Sequence, residues 1–196
     1  MTTNQSSDKT FFITLSILMG VIIIVSNYLV QFPINKFHLQ DILTYGAFSY
    51  PVTFLIIDLA NRRFGKKEAR KLVYIGFTIG ILLTILVSTN FQDIISIRIA
   101  LGSGTAFLVA QLTDIEIFQH LRNKKWFVAP ITSSVSGSTI DTFLFFSISF
   151  LGTGVPWVTL ALGDLVVKFL MALLMLIPFR FLIFKIKDMN ERKYLA

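Results

Sequence analysis

Long apolar runs alternate with short polar or charged segments along almost the whole chain. Each run is long enough to form an α-helix that crosses the roughly 30 Å hydrocarbon core of a bilayer, which takes about 20 residues. The pattern therefore predicts an all-α integral membrane protein, built as a bundle of six transmembrane helices. The predicted spans are about 11–30, 42–61, 72–89, 97–121, 126–150 and 157–184, within a membrane domain at 11–186 that is flanked by a polar N-terminal tail (1–10) and a C-terminal tail (187–196).

The basic residues are distributed unequally between the two ends of the predicted helices. Fifteen of the eighteen Lys and Arg residues fall in segments on the side of both termini, and the densest group runs from Arg62 to Lys71. Only Lys36 and Arg98 fall in the opposite loops, and Lys168 lies inside the sixth span. Because basic loops are retained in the cytoplasm, this asymmetry predicts a multi-pass protein of the bacterial inner membrane with both termini cytoplasmic.

Composition supports the membrane prediction and excludes several kinds of site. The chain is 54% hydrophobic and contains 20 Phe residues in 196, which is far from the usage of soluble domains. Its net charge of +7 is explained by topology and anionic lipid, since the cations lie in loops, so no nucleic-acid partner is expected. With no Cys and only His38 and His120, we expect no metal site and no cofactor.

Acidic and amide side chains interrupt the second and fourth spans. Asp58 and Asn61 lie one turn apart below Pro51, which should kink their helix. Gln111 and Asp114 are three residues apart in the fourth span and therefore share a helical face. A carboxylate costs about 2.5–3.5 kcal/mol at the centre of a helix in lipid, so such a residue usually faces a cavity or a partner. For Asp58 and Asn61, helix capping or pairing with the basic loop is the alternative interpretation.

The fifth and sixth spans also carry polar residues at helical spacing. Ser134, Ser138 and Asp141 share one face, which should therefore point into the bundle. Asp164 and Lys168 are four residues apart in the sixth span and can neutralise each other. Two alternatives remain open here: the pair is purely structural, or Lys168 neutralises Asp141 from the neighbouring helix.

Four ordered blocks of residues carry a family resemblance. They are Tyr50-Pro51-Val52-Thr53-Phe54 through Asp58, Asn61 and Gly65; Arg98-Ile99-Ala100 followed by Gln111-x-x-Asp114; Ser134-x-x-x-Ser138-x-x-Asp141-Thr142; and Asp164, Lys168 and Pro178. Together they resemble the blocks of the queuosine precursor transporters, also called the vitamin uptake transporter family, over nearly the whole chain from the first helix. One position departs from that pattern, because many members carry Glu directly after the Asn of the first block, where this chain has Arg62.

The resemblance implies import of 7-deazaguanines, the 7-cyano and 7-aminomethyl precursors of the tRNA modification queuosine. A guanine-like edge offers N–H donors to carboxylates and a carbonyl to amides, and its flat ring stacks on aromatic side chains. Asp114 and Asp141 are the first candidates, because neither has a basic residue one helical turn away in its own helix. The residues expected to bind substrate are Asp58, Asn61, Gln111, Asp114, Ser138, Asp141, Asp164 and Lys168.

An intramembrane enzyme is the main alternative from another functional class. A serine protease would need a His at the depth of a Ser, but His120 lies at a helix end and His38 in a loop. An aspartyl protease would need two facing acids, for which Asp58 and Asp141 are candidates, although the expected local motifs are missing. The residues therefore favour a transporter over an enzyme.

A substrate-binding subunit of an energy-coupling transporter for another small heterocycle or vitamin also fits the size of the chain. Such subunits dock their partner through paired alanines, where the first helix here has Ser16 and Gly20. The chain has no phosphate-binding loop, so any ATP use would come from another protein, and such a coupling partner is not implied. The expected partners are a small-molecule 7-deazaguanine substrate and the lipid bilayer, and a homodimer is compatible with the sequence.

Overall fold

A computed structural model describes residues 2–29, 32, 34, 45–87 and 94–184 of the chain. The described residues form helices and turns without a β-strand, so the all-α prediction is confirmed. Six of the helices are long and one is a single turn. In chain order they are α1 (Thr2–Leu29), α2 (Gly46–Ser49), α3 (Val52–Phe64), α4 (Lys66–Val87), α5 (Ile94–Leu121), α6 (Val128–Phe150) and α7 (Trp157–Ile183).

The second predicted span is divided at Pro51. The helix α2 ends before this residue and α3 begins after it, and the backbone N–H of Thr53 donates to the Tyr50 carbonyl across the break at 3.0 Å. Proline lacks the N–H that a continuing helix needs, so the expected kink is a break between two helices rather than a bend in one continuous helix over 42–61. Residues 42–44 of that span lie outside the described residues.

Other helix ends differ from the predicted spans because hydropathy locates the apolar part of a helix and not its hydrogen-bonded ends. The helix α1 begins at Thr2, so the segment 2–10 is helical where a polar tail was expected. The helix α4 begins at Lys66 and thus includes basic residues that precede its apolar run. Several predicted features lie outside the described residues. They are the ends of the first and third spans, the loop residues Lys36 and His38, and the tail 187–196.

A glycine turn joins α3 to α4 within the basic segment. Gly65 has φ +85°, a backbone conformation that residues with a Cβ rarely adopt, and its N–H donates to the Asn61 carbonyl at 2.9 Å. The turn reverses the chain, so the cations before and after it lie at the same end of the bundle.

The main apolar core lies among α1, α3, α4 and α5. Lipid tails are as apolar as these side chains, so close van der Waals packing rather than exclusion of water holds such a core together in a bilayer. The helix α6 packs along α5, and α7 packs against α6 and more lightly against α2 and α3. Buried members of the core include Leu15, Met19, Ile23, Ile56, Ile57, Leu72, Val73, Phe107 and Ile115.

Ion pairs bring the starts and ends of several helices to one end of the bundle. Asp8 in α1 pairs with Arg63 at the end of α3, with 2.7 Å between Oδ1 and Nη2. Glu116 near the end of α5 pairs with Lys66 and Arg70 of α4 at 2.7 and 2.5 Å. The basic segment after α3 therefore lies beside the beginning of α1 and the end of α5, and we call this side of the molecule the basic end.

Further contacts complete both ends of the bundle. At the basic end, Arg62 donates to the Arg122 carbonyl at 2.7 Å and Arg122 donates to the Arg62 carbonyl at 3.1 Å. The Arg180 guanidinium near the end of α7 lies 4.6 Å from the centre of the Trp126 ring, just before α6. At the opposite end, Arg98 of α5 donates to backbone carbonyls at the end of α6.

Two helices have the length and apolar composition needed to cross a membrane among the residues that the structure describes. They are α1, over Asp8–Ser26, and α7, over Trp157–Ile183. Only 28% of the apolar stretch of α1 and 17% of that of α7 are buried within the chain. A core helix of a soluble protein would be mostly buried, so these two helices present their apolar surfaces outwards.

Candidate functional site

A row of buried polar residues on α6 runs through the middle of the bundle. Ser134, Ser138 and Asp141 are 8%, 1% and 4% exposed, which confirms that this face points inwards. The seven-residue interval from Ser134 to Asp141 corresponds to about 10 Å along a helix. A group of charged residues from other helices lies at each end of this row, and the two groups differ in composition.

The first group, which we call the acid–lysine group, contains Asp141, Thr142, Asp164 and Lys168. The Lys168 ammonium lies 2.8 Å from Asp141 Oδ2 and 2.5 Å from Asp164 Oδ2, and it is 5% exposed. It also donates to the Thr142 hydroxyl at 3.1 Å, and that hydroxyl donates to Asp164 at 2.8 Å. Lys168 therefore forms ion pairs with both its own-helix neighbour Asp164 and Asp141 on α6.

Tyr50, at the break between α2 and α3, covers the acid–lysine group. Its ring centre is 5.7 Å from the Lys168 ammonium, close enough for a cation–π contact. Its hydroxyl lies near the Asp141 carboxylate. The break at Pro51 thus places an aromatic ring and a hydroxyl directly over this buried ion group.

The middle of the row contains an amide and two hydroxyl groups. The Gln111 side chain on α5 donates from Nε2 to the Thr53 hydroxyl of α3 at 2.8 Å, and that hydroxyl donates to the Tyr50 carbonyl at 2.8 Å. Gln111 and Thr53 are fully buried, and Ser138 lies on the inward face of α6. The amide group thus connects α5 to the broken helix α2–α3.

The second group, which we call the acid pair, consists of Asp58 on α3 and Asp114 on α5. Their carboxyl groups lie within hydrogen-bonding reach of each other, and they are 2% and 0% exposed. Ser133 and Ser134 of α6 donate to Asp58 over long distances of 3.3 and 3.5 Å. Ser133 also lies near Asp114, but its hydrogen-bond geometry favours Asp58.

Asn61 lies one turn beyond the acid pair on α3. It is fully buried and donates from Nδ2 to the Ile115 carbonyl of α5 at 3.0 Å. Asp58 and Asn61 therefore bind the neighbouring helices α5 and α6. The alternative interpretation, that they cap their own helix or pair with the basic loop, is not what the structure shows.

Several buried acceptor atoms around the acid pair have no hydrogen-bond donor in the described part of the chain. They are both carboxylate oxygens of Asp114, Oδ1 of Asn61 and Oε1 of Gln111. Buried polar atoms without partners are uncommon, and each costs free energy relative to its hydrated state. The site therefore offers acceptors to a group that brings hydrogen-bond donors.

A narrow cleft reaches the acid pair from between α3, α6 and α7. Its lining combines Asp58 and Ser134 with apolar side chains that include Met175 and Phe179. The space is little more than one water molecule needs, so a fused two-ring base does not fit without movement of the helices. The structure thus shows a closed arrangement of the polar row.

The eight predicted site residues all lie in or beside the polar row: Gln111 and Ser138 are in its middle, and the other six divide between its two ends. Asp58, Asn61 and Asp114 are at one end, and Asp141 is at the other with Asp164 and Lys168. The Lys168 ammonium reaches Asp141 from α7, which is one of the two alternatives that the sequence left open for this residue.

Four further polar residues complete the two groups and were not predicted as site residues. Ser133 and Thr142 adjoin predicted positions on α6, and Tyr50 and Thr53 flank Pro51. The sequence signal that could have identified them was their proximity to a predicted acid or to the helix break at Pro51. Spacing within one helix could not distinguish which of them reaches another helix.

Comparisons with known proteins agree with the four blocks. The family described as "Putative vitamin uptake transporter" matches residues 44–183, which include all members of both groups. The "Probable queuosine precursor transporter" of Haemophilus influenzae is 31% identical, over 89% of this chain and 87% of that protein. The "Queuosine precursor transporter" of Escherichia coli is 31% identical, over 84% and 82% respectively.

A third relative shows the same similarity at lower identity. The "Probable queuosine precursor transporter" of Bacillus subtilis is 26% identical, over 76% of this chain and 75% of that protein. No solved structure matches the chain. Because the family match covers well over half of the chain and two relatives exceed 30% identity over most of their length, this chain belongs to the vitamin uptake transporter family of membrane proteins.

Proposed function

We propose that this protein imports queuosine precursors, 7-cyano- and 7-aminomethyl-7-deazaguanine, across the bacterial inner membrane for tRNA modification. The observation that carries the proposal is the buried polar row with a charged group at each end, inside a bundle whose outer surface is apolar. Polar and ionisable residues are costly within a membrane and usually line the path of a polar solute. The printed names of three relatives support the same cargo.

The eight predicted residues bind the base through complementary hydrogen bonds. The carboxylates of the polar row accept N–H donors from the base and its amino groups. Gln111 and Lys168 carry donors that suit a ring carbonyl. The rings of Tyr50 and Phe54 lie beside the row and provide faces on which a flat heterocycle can stack.

Substrate enters when helices around the row separate. The cleft beside Asp58 is the place where α3, α6 and α7 leave space, and α7 is held mainly through α6. A displacement of α7 would widen this cleft while the core among α1, α3, α4 and α5 stays packed. Such motion of one part of a bundle against another is the usual basis of alternating access in carriers.

The basic end faces the cytoplasm in the proposed topology. The described Lys and Arg residues outside the polar row lie at this end except for Arg98, and basic segments are retained on the cytoplasmic side of the inner membrane. The beginning of α1 and the end of α7 are both at this end, which supports a topology with both termini in the cytoplasm.

The protein acts as a carrier and not as an enzyme. The two acids considered for an aspartyl protease, Asp58 and Asp141, lie at opposite ends of the polar row. Asp141 is ion-paired with Lys168, so it does not face a second acid across an open site. The relatives are likewise named as transporters.

Import is tested in bacteria that lack both queuosine precursor synthesis and their own importer. The chain is expressed, each 7-deazaguanine is supplied at low concentration, and queuosine in tRNA is quantified. Restoration of queuosine is expected for the parent protein and loss of restoration for Asp114→Asn and Asp141→Asn. Glu116→Gln is the matched control, because it removes an acid from α5 outside the polar row.

Two results would contradict the proposal. If a folded, membrane-inserted parent protein restores no queuosine from either precursor, these compounds are not its cargo. If Asp114→Asn and Asp141→Asn restore queuosine as fully as the parent, the polar row is not the binding site. Membrane levels of every variant are measured by immunoblot so that expression does not decide the outcome.

A further inference from the structure

The charges of the polar row are unevenly distributed, because the cation that the described residues place in it, Lys168, lies at one end. Lys168 contacts Asp141 and Asp164, about 10 Å along α6 from the serines that contact Asp58. In the part of the chain that the structure describes, no Lys or Arg forms an ion pair with Asp58 or Asp114. One end of the row therefore has its own cation, and the other end does not.

The unsatisfied atoms near the acid pair share one chemical character. Both Asp114 oxygens, Asn61 Oδ1 and Gln111 Oε1 are buried acceptors without donors. Asn61 lies one turn from Asp58 on α3, and Gln111 lies one turn from Asp114 on α5, so the amides lie on the same helix faces as the acids. A group that brings several N–H donors and a positive charge would satisfy all of these features together.

We propose that the acid pair binds the ammonium group of a cationic substrate, so that the carrier prefers the 7-aminomethyl over the 7-cyano precursor. This inference rests on the proposed function, since it assigns a selectivity to the same import site. In this proposal the two ends of the polar row bind different parts of the substrate. The acid pair binds the charged arm of the substrate, whereas the acid–lysine group, which already contains a cation, faces its uncharged ring.

The two precursors differ at the group that would meet the acid pair. A primary alkyl amine resembles the lysine side chain, whose ordinary pKa is about 10.4, and is therefore an ammonium with three donors at neutral pH. A cyano group has no proton and presents a nitrogen acceptor. Placed opposite two carboxylates, the cyano group would leave every acceptor of the acid pair unsatisfied. The 7-cyano compound would therefore bind only through the ring that it shares with the 7-aminomethyl compound.

The test on the parent protein compares three ligands that share the 7-deazaguanine ring. The full chain is purified in lipid nanodiscs, and the dissociation constants of the 7-aminomethyl, 7-hydroxymethyl and 7-cyano compounds are measured by calorimetry. The hydroxymethyl compound matches the aminomethyl compound in length but has no charge. We expect the aminomethyl compound to bind at least about tenfold more tightly than either neutral compound, the scale of a charge-assisted hydrogen bond. Equal affinities would overturn the inference without any variant.

Variants then locate the preference. Asp114→Asn and Asp58→Asn should reduce the ratio of aminomethyl to cyano affinity towards one, mainly by weakening the aminomethyl compound. Glu116→Gln, on the same helix as Asp114 but with its carboxylate at the basic end, should keep the parent ratio. A preference that survives in both acid variants would show that another part of the protein binds the ammonium.

Two further comparisons distinguish binding of the substrate ammonium from binding of a sodium ion, and a failure of the selectivity from a failure of the proposed function. The titrations are repeated with sodium replaced by choline, because a bound sodium ion could also occupy the acid pair. Sodium-dependent binding of the cyano compound that disappears in Asp114→Asn would overturn the inference in favour of an ion site. Equal binding of all three compounds would refute the selectivity alone, whereas no binding and no import of any compound would refute the proposed function as well.

Discussion

Lys168 places one ammonium between two carboxylates in the interior of the bundle, with the Thr142 hydroxyl and the Tyr50 ring around it. In this arrangement the acid on α6 and the acid on α7 depend on the same cation. Removing one partner of a buried ion pair leaves an uncompensated charge, which costs far more than the pair contributes. The three charged residues should therefore respond unequally to substitution.

Lys168→Met should destabilise the protein by about 3–5 kcal/mol, because Asp141 and Asp164 would then face each other without a cation. Asp141→Asn should cost less, since Lys168 keeps its contact with Asp164 in the same helix. Unfolding of both variants in nanodiscs is followed by tryptophan fluorescence. Recovery of stability when Lys168→Met is combined with Asp141→Asn and Asp164→Asn would support the explanation, and a Lys168→Met variant as stable as the parent would contradict it.

Arg62 is the position at which the chain departs from the pattern of the family resemblance, which implies Glu there. Its guanidinium donates to the Arg122 carbonyl, and the Arg122 guanidinium donates to the Arg62 carbonyl. Since Arg122 is 5% exposed, the two residues join the end of α3 to the end of α5 beneath the basic surface. A Glu at this position would have the Arg122 guanidinium within reach as a partner.

Arg62→Glu should therefore stay close to the parent in stability, because an ion pair with Arg122 replaces the lost hydrogen bond. Arg62→Ala should lose about 0.5–1.5 kcal/mol, the usual contribution of one such hydrogen bond. Thermal unfolding midpoints of the two variants measured side by side give the comparison. The interpretation fails if Arg62→Glu is the less stable of the two.

At the scale of elements, the contact between α5 and α6 depends on small residues. The run from Gly102 to Ala106 consists of small residues, and the structure gives its two glycines different surroundings. A Cβ on Gly102 would lie 2.6 Å from Ser149 Oγ and 3.2 Å from a backbone oxygen of α6. A Cβ on Gly104 would meet Phe77 at an ordinary 3.4 Å.

Gly102→Ala should destabilise the bundle by about 1–3 kcal/mol, because the added methyl group pushes α5 away from α6. Gly104→Ala should be neutral or stabilising, since Ala is favoured over Gly in a helix by about 1 kcal/mol and the space is sufficient. The pair forms a matched control, with the same substitution two residues apart in one helix. Equal loss of stability in both variants, measured by urea or thermal unfolding, would refute this packing argument.

Spacing along single helices predicted which helix faces point inwards. It predicted few of the residues on other helices that those faces contact. The inward face of α6 and the Asp164–Lys168 contact follow from helical periodicity alone. The contact between Asp58 and Asp114 depends on the depths at which α3 and α5 lie side by side. That relative depth is set by packing of many side chains, so it could not be read from a pattern within either helix. The interruption of the helix at Pro51 was predictable, because proline lacks the N–H that a continuing helix needs. The position of Tyr50 over Lys168 was not predictable, because it depends on how α7 packs against the broken helix.

At the scale of the whole molecule, the helices alternate in direction so that their cations collect at one end. The contacts of Asp8 with Arg63 and of Glu116 with Lys66 hold that end together. The opposite end contains Leu151 in the turn after α6, where it is 58% exposed. If the basic end is cytoplasmic, this turn must lie on the outer side of the membrane.

The absence of cysteine from the sequence makes this topology directly testable. Single substitutions Lys67→Cys and Lys124→Cys introduce a thiol at the basic end, and Leu151→Cys introduces one at the other end. A membrane-impermeant maleimide should label Leu151→Cys in intact cells whose outer membrane has been permeabilised. It should label the two basic-end variants only after the inner membrane is opened, because a charged reagent does not cross the bilayer core.

The three variants check one another, and each is first shown to restore queuosine so that only folded protein is scored. If the basic-end thiols are labelled in intact cells and Leu151→Cys is protected, the bundle has the opposite orientation to the one proposed. Because the polar row lies between the two ends, such a reversal would also exchange the sides from which the acid pair and the acid–lysine group are approached. The labelling pattern thus determines which charged group an incoming base would meet first.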